Sequence, residues 1–197
     1  AMHHDPRCAT WMPPEFTDDG SDDIPGAAGG SRLFEQPKHR AEVERFEAHL
    51  AVGGPAAVEI GFDFGRRLLS LAEAQPETRW IGMEVRKRQV WALEERAPEN
   101  LLPWRVDARI AFRHLVPPSS LSRVDIFFPT PWWDERKRAQ RFLVTPPFVR
   151  DLARALVPGG VVYLATDIEP SFHWMAAQFD RWTAVDLPPA APALSRR

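Results

Sequence analysis

Val58-Glu-Ile-Gly-Phe-Asp-Phe-Gly65 is followed nineteen residues later by Glu84, the last side chain of Trp80-Ile-Gly-Met-Glu84. The first stretch reads as a short apolar strand running into a glycine turn, with a helix over 66–74 after it. The second reads as a neighbouring strand that ends on a carboxylate. In an open parallel sheet this pattern places a ligand at the carboxyl ends of the first two strands. The glycines let backbone approach the ligand, and an acid about twenty residues on hydrogen-bonds ribose hydroxyls. The pattern predicts an adenosine-containing ligand.

Spacing narrows the ligand. A nicotinamide site wants G-x-G-x-x-G, with bare N–H groups at a helix N-terminus for the pyrophosphate. Here Gly61 and Gly65 are four apart and Asp63 stands between them, where its carboxylate would repel a phosphate. S-adenosylmethionine has no phosphate; it carries a sulfonium and an ammonium. Glu59 and Asp63 suit such a cationic ligand, because opposite charges a few ångströms apart attract. Asp63 has a second reading as a cap for the helix that starts near Phe64.

The periodic pattern continues outward. Helices are predicted over 86–97, 109–115 and 144–156, and strands over 103–106, 124–128 and 161–165. The last helix is expected to stop at Pro158-Gly159-Gly160. Strands alternating with helices argue for an α/β, doubly wound, mostly parallel Rossmann-type sheet with helices on both faces. Asp107 then stands at the end of the third strand, either to take an adenine amino group or to cap the helix after it. Thr166-Asp167 stand at the end of the last strand.

Six short stretches fall in order: Val58-Glu-Ile-Gly, Ile81-Gly-Met-Glu-Val85, Asp107-Ala108, Phe127-Phe-Pro-Thr-Pro-Trp132, Pro158-Gly-Gly160 and Ala165-Thr-Asp167. Together they resemble the tRNA (guanine-N7-)-methyltransferase family over about residues 56 to 175. The F-P-x-P-W element is the specific one; the others are shared widely among Rossmann-type methyltransferases. The resemblance implies an S-adenosylmethionine-dependent methyltransferase acting on N7 of a tRNA guanine. It implies a donor site built from Glu59, Gly61, Gly65, Glu84 and Asp107, to which the charge argument adds Asp63.

Departures fall on the acceptor side. The family's FPDPWP aspartate is Thr130 here, and its K-K-R-H run is Asp134-Glu-Arg-Lys137. The T-x-F-E-R segment with which the family helps hold the guanine has no match in Leu187–Arg197. Guanine N7 has a free lone pair at neutral pH, so its methylation needs alignment more than a general base. The purine turns cationic as the methyl arrives, and a carboxylate nearby would stabilise that charge. Thr130 can orient an acceptor but cannot neutralise it. Asp134, from the same loop, either takes over that task or is a solvated loop acid. Trp132 and Trp133 either stack a base, at roughly 1–3 kcal/mol each, or pack the loop onto the sheet. Arg136, Lys137, Arg138 and Arg141 are the densest basic cluster, either touching phosphates or forming a solvated face. Thr166 and Asp167 complete the acceptor candidates. A small heterocycle is the alternative acceptor, and a binding module without turnover is the second alternative.

Residues 1–31 hold six acids against one base, leaving 24 basic and 21 acidic residues in the remainder, so any RNA-binding footprint is local. Three segments are expected: a disordered acidic stretch over 1–31, a methyltransferase domain over 32–187 that opens with a helix over 32–50, and a Pro/Ala-rich tail over 188–197. One cysteine, Cys8, excludes an internal disulfide, and scattered histidines suggest no metal site. No apolar run is long enough to span a membrane. The cytoplasm is the expected compartment. The sequence does not specify an oligomeric state.

Overall fold

The computed structural model describes residues 7–14, 37–130 and 142–186. In chain order these form β1 (Arg7–Met12), α1 (Pro37–Ala51), β2 (Ala56–Ile60), α2 (Arg66–Ala74), β3 (Arg79–Glu84), α3 (Lys87–Glu94) and β4 (Leu101–Arg105). Then follow α4 (Ala108–His114), β5 (Leu121–Phe127), α5 (Pro146–Ala155), β6 (Leu156–Thr166), α6 (Glu169–Ala176) and β7 (Thr183–Val185), with a 3₁₀ turn at Ala177–Phe179 between the last two. The seven strands order as β4-β3-β2-β5-β6-β1-β7. Neighbours from β4 through β6 are parallel, and β1 runs antiparallel to both β6 and β7. The doubly wound, mostly parallel sheet read from the sequence is therefore present.

Strand order reverses at β2, which lies between β3 and β5. Crevices for ligands open at such a switch point, outside the carboxyl ends of the strands. All five residues of β2 are buried, as expected of a central strand covered on both faces. Alternation splits them: Val58 and Ile60 join the core with Phe46, Trp104 and Phe112, whereas Ala57 joins Leu68, Leu71, Trp80 and Leu93 under α2 and α3. Fully buried Phe46 of α1 stacks on Trp104 of β4 with ring centroids 4.5 Å apart, tying that helix to the sheet edge.

The N-terminal reading needs correction. Arg7–Met12, inside the stretch expected to be disordered, is a strand whose Thr10 and Trp11 are buried. Most of the Asp, Gly and Pro of residues 1–31 fall after Met12, so composition taken over the whole stretch hides it. Trp11 stacks on Phe179, with centroids 4.6 Å apart and planes 6° from parallel. Residues 15–36, and the tail from 187 onward, lie outside the described residues.

Boundaries shift elsewhere. The helix expected over 144–156 is Pro146–Ala155, with proline in its first turn where no N–H is missed. Pro158-Gly159-Gly160 does not stop it; these residues lie within β6, where pairing with β5 slips between Leu121 and Arg123. Helix α6 and strand β7 had no counterpart in the sequence reading.

Candidate active site

At the carboxyl edge a cleft of about 450 Å³ opens, within the usual range for small-molecule sites. Its wall includes Gly61 after β2, Glu84 at the end of β3, Asp107 after β4, and Phe128 and Thr130 after β5. Ser171 and Met175 of α6 close one side.

Gly61 has φ of 73°, and a Cβ placed on it would meet nothing within 4 Å. Its bare backbone thus faces open cleft, in a conformation that side chains rarely adopt. Gly65 is also left-handed, at φ 69°, but for a packing reason: a Cβ there would lie 2.7 Å from two methyl carbons of Leu93. It seats the start of α2 against α3 and does not line the cleft.

Glu84 is buried and lines the cleft. Oε1 accepts from the Val85 N–H at 2.9 Å, the Arg86 N–H at 3.0 Å and Arg86 Nε at 3.2 Å, while Oε2 accepts from Arg86 Nη2 at 3.0 Å. That same nitrogen donates to Asp63 Oδ1 at 3.0 Å. Asp63 sits at φ 52° and the helix cap is Gly65, so the capping role considered for Asp63 is not observed. Its carboxylate is held by Arg86 and does not line the cleft.

Asp107 does two of the things its position suggested. It caps α4, with Oδ1 accepting from the Arg109 N–H at 2.9 Å, and it lines the cleft. Arg109 also closes on both its oxygens, Nε at 3.1 Å and Nη2 at 2.7 Å. Desolvation pushes the Asp107 carboxyl upward, but the hydrogen bonds and charge of Arg109 outweigh it and hold it below the ordinary aspartate range.

Glu59 is placed differently from its sequence reading. It does not line the cleft and joins a buried ionic cluster, where Arg67 donates to Glu59 at 2.9 Å and to Asp125 at 2.8 Å, and Arg123 donates to Asp125 at 2.6 Å. Burial pushes the Glu59 carboxyl up to about 7, with Arg67 opposing and Asp125 reinforcing the rise. The alternation along β2 dictates this: Glu59 shares its face with Ala57, opposite to Val58 and Ile60.

On the acceptor side, Thr130 is exposed and lines the cleft. Thr166 is buried with Oγ1 accepting from the Ile168 N–H at 3.2 Å, and Asp167 is exposed; neither lines the cleft. Trp132, Trp133, Asp134, Arg136 and Arg138 lie outside the described residues. Sequence reading missed Phe128, whose φ of 47° is rare for a bulky residue. Its N–H still donates to Ala165 at 2.8 Å, so the strained turn is fixed to β6 and bends the chain along the cleft. It also missed Arg86 and Arg109, which hold the two cleft carboxylates.

The donor set therefore fits an adenosine-bearing ligand: acids at the ends of two adjacent strands, an open glycine backbone, and apolar walls from Met83, Val106 and Phe127. Residues 53–188 match the model of a family described as "Putative methyltransferase". The chain belongs to this methyltransferase family. Among its relatives, a protein of Synechococcus sp. strain JA-2-3B'a(2-13) named tRNA (guanine-N(7)-)-methyltransferase is 36% identical over 74% of this chain and 62% of its own. One of Halorhodospira halophila with the same name is 39% identical over 61% of this chain and 54% of its own. The chain thus spans about half to three-fifths of these relatives' length. Among solved structures, an aminoglycoside resistance methyltransferase aligns with a TM-score of 0.49 and 21% identity, covering 71% of this chain and 69% of that one. Among the described residues, no group of three acids, histidines or cysteines could hold a metal, and no helix is long and apolar enough to cross a membrane.

Proposed function

We propose that the chain binds S-adenosylmethionine in the carboxyl-edge cleft and transfers its methyl to N7 of a guanine in tRNA. The observation that carries this reading is the pairing of Glu84 and Asp107 at the ends of adjacent strands, across the cleft from the Phe128–Thr130 turn. Fold by itself would not support it, since one scaffold hosts many chemistries. The relatives' names supply the acceptor.

In this reading Glu84 accepts from the ribose hydroxyls, and Asp107 faces the adenine. Gly61 lets the methionine portion lie against backbone. Bound S-adenosylmethionine supplies an electrophilic methyl. The chain's remaining task is alignment, which can contribute several kcal/mol without any base. Thr130, at the cleft wall, orients the acceptor by hydrogen bonding in this reading.

The departure at Thr130 favours one second reading, a small heterocyclic acceptor. Offering labelled S-adenosylmethionine together with unmodified tRNA and an RNA-free small-molecule extract separates the two. Label in the tRNA supports the proposal, and label only among small molecules overturns its acceptor.

A further inference from the structure

Beside the cleft, the chain from Val85 to Arg88 is exposed at four consecutive residues, three of them basic. Val85 is 57% exposed and Trp91, one helical turn into α3, is 56% exposed, a large apolar surface for such a charged setting. The ammonium of Lys87 lies 3.9 Å from the centre of the Trp91 ring. Arg105, at the end of β4, reaches over to donate from Nε to the Val85 carbonyl at 3.3 Å, adding a further cation to the same corner. The acids nearby offset Arg86 and add one exposed carboxylate, Glu95 one turn after Trp91, which leaves Lys87, Arg88 and Arg105 in excess. Asp63 and Glu84 are held by Arg86, Asp107 is held by Arg109, and Glu94, at the far end of α3, is held by Arg45 at 3.3 Å.

An exposed indole under a Lys ammonium, with Arg88 and Arg105 exposed on the same side, matches the chemistry of a nucleic-acid strand: aromatic faces stack bases while Lys and Arg take phosphates. We propose that Lys87, Arg88, Trp91 and Arg105 form a docking platform for an RNA strand at the donor side of the cleft, away from the Thr130 turn. A base entering over Trp91 displaces the Lys87 ammonium from the ring and leaves it free for the adjoining phosphate. Val85 and Arg86 of the cleft wall directly precede Lys87, so RNA held on the platform lies beside the cleft mouth. This rests on the RNA-acceptor reading above and deepens it.

The test is binding of an unmodified tRNA transcript to the full chain, measured across a salt series, beside S-adenosylmethionine affinity for the same proteins. Lys87→Glu with Arg88→Glu should weaken tRNA binding at least tenfold at about 0.1 M salt and lower the slope of log affinity against log salt by about 1.5 to 2. Trp91→Ala should weaken it roughly fivefold or more, and Trp91→Phe should largely restore it. Donor affinity should stay within about twofold throughout, which excludes misfolding as the cause. If the wild-type chain binds and methylates tRNA and these variants match it, the platform is wrong while the acceptor reading stands. If the wild-type chain shows no salt-dependent tRNA binding, both are overturned. If Trp91→Ala instead dissociates an oligomer and leaves tRNA affinity unchanged, the patch joins copies of the chain and the proposal is overturned.

Discussion

The Arg86 guanidinium closes on both oxygens of Glu84, with Nε 3.2 Å from Oε1 and Nη2 3.0 Å from Oε2. A ligand whose hydroxyls donate to Glu84 shares Oε2 with a guanidinium that already donates to it and competes for the same charge. Glu84→Ala should therefore weaken S-adenosylmethionine binding at least tenfold, since hydrogen bonds to a charged group are worth about 1.5–3 kcal/mol. Arg86→Ala should bind the donor as tightly as wild type or a few-fold more tightly, because it removes the competitor. Calorimetric titration of both variants checks the pair. Equal loss in both would show that Arg86 serves the ligand and does not compete with it.

Thr130 lines the cleft without a charge to offer a cationic purine. Thr130→Asp should raise turnover on a guanine acceptor about tenfold, by electrostatic stabilisation of the methylated ring, with little change in donor affinity. Thr130→Val should lower it. Single-turnover rates with saturating donor distinguish these effects from product release. An aspartate that leaves the rate unchanged would place the compensating charge elsewhere.

Glu59 makes stability depend on pH. Its folded value, about 7, exceeds its ordinary value of 4.5, so the folded state holds the proton more tightly. That contribution is complete below 4.5 and is lost as pH rises through about 7, with a slope of up to about 1.4 kcal/mol per pH unit. His49, lowered by burial, acts in the opposite sense, gaining stability as pH rises through its ordinary range. Glu59→Gln should remove the Glu59 part alone. Urea unfolding at pH 5 and pH 7.5 should therefore show a smaller loss, or a gain, in the variant. Parallel curves would mean that Glu59 stays ionised beside Arg67.

Trp11 fixes β1 by stacking on Phe179. Trp11→Ala should cost about 3–5 kcal/mol, the usual range for deleting a buried large aromatic. The midpoint of denaturant unfolding reads this directly. A change under about 0.5 kcal/mol would mean that β1 adds nothing to the sheet.

The central half of the fold was legible because its strands are short apolar runs alternating with helical stretches, and such runs mark buried parallel strands. Gly61, Glu84, Asp107 and Thr130 were legible as cleft residues because strand ends are where a doubly wound sheet gathers side chains. Glu59 was misplaced because a motif gives a position along the strand, while the face it occupies is set by alternation against neighbours. Gly65 looked like a ligand glycine, but Leu93, twenty-eight residues on, is what requires it. Arg86 and Arg109 were not legible as partners of the cleft acids, since nothing in a basic residue two positions after an acid says that it folds back. Strand β1 and β7 pair across most of the chain length, a separation that local patterning does not reach.

The most direct measurement is mass analysis of nucleosides from a tRNA transcript incubated with S-adenosylmethionine and the full chain, with Glu84→Ala in parallel. The expected result is 7-methylguanosine from wild type and a large drop at sub-saturating donor from the variant. Methyl on another nucleoside, or none with the donor demonstrably bound, would contradict guanine-N7 transfer by this cleft.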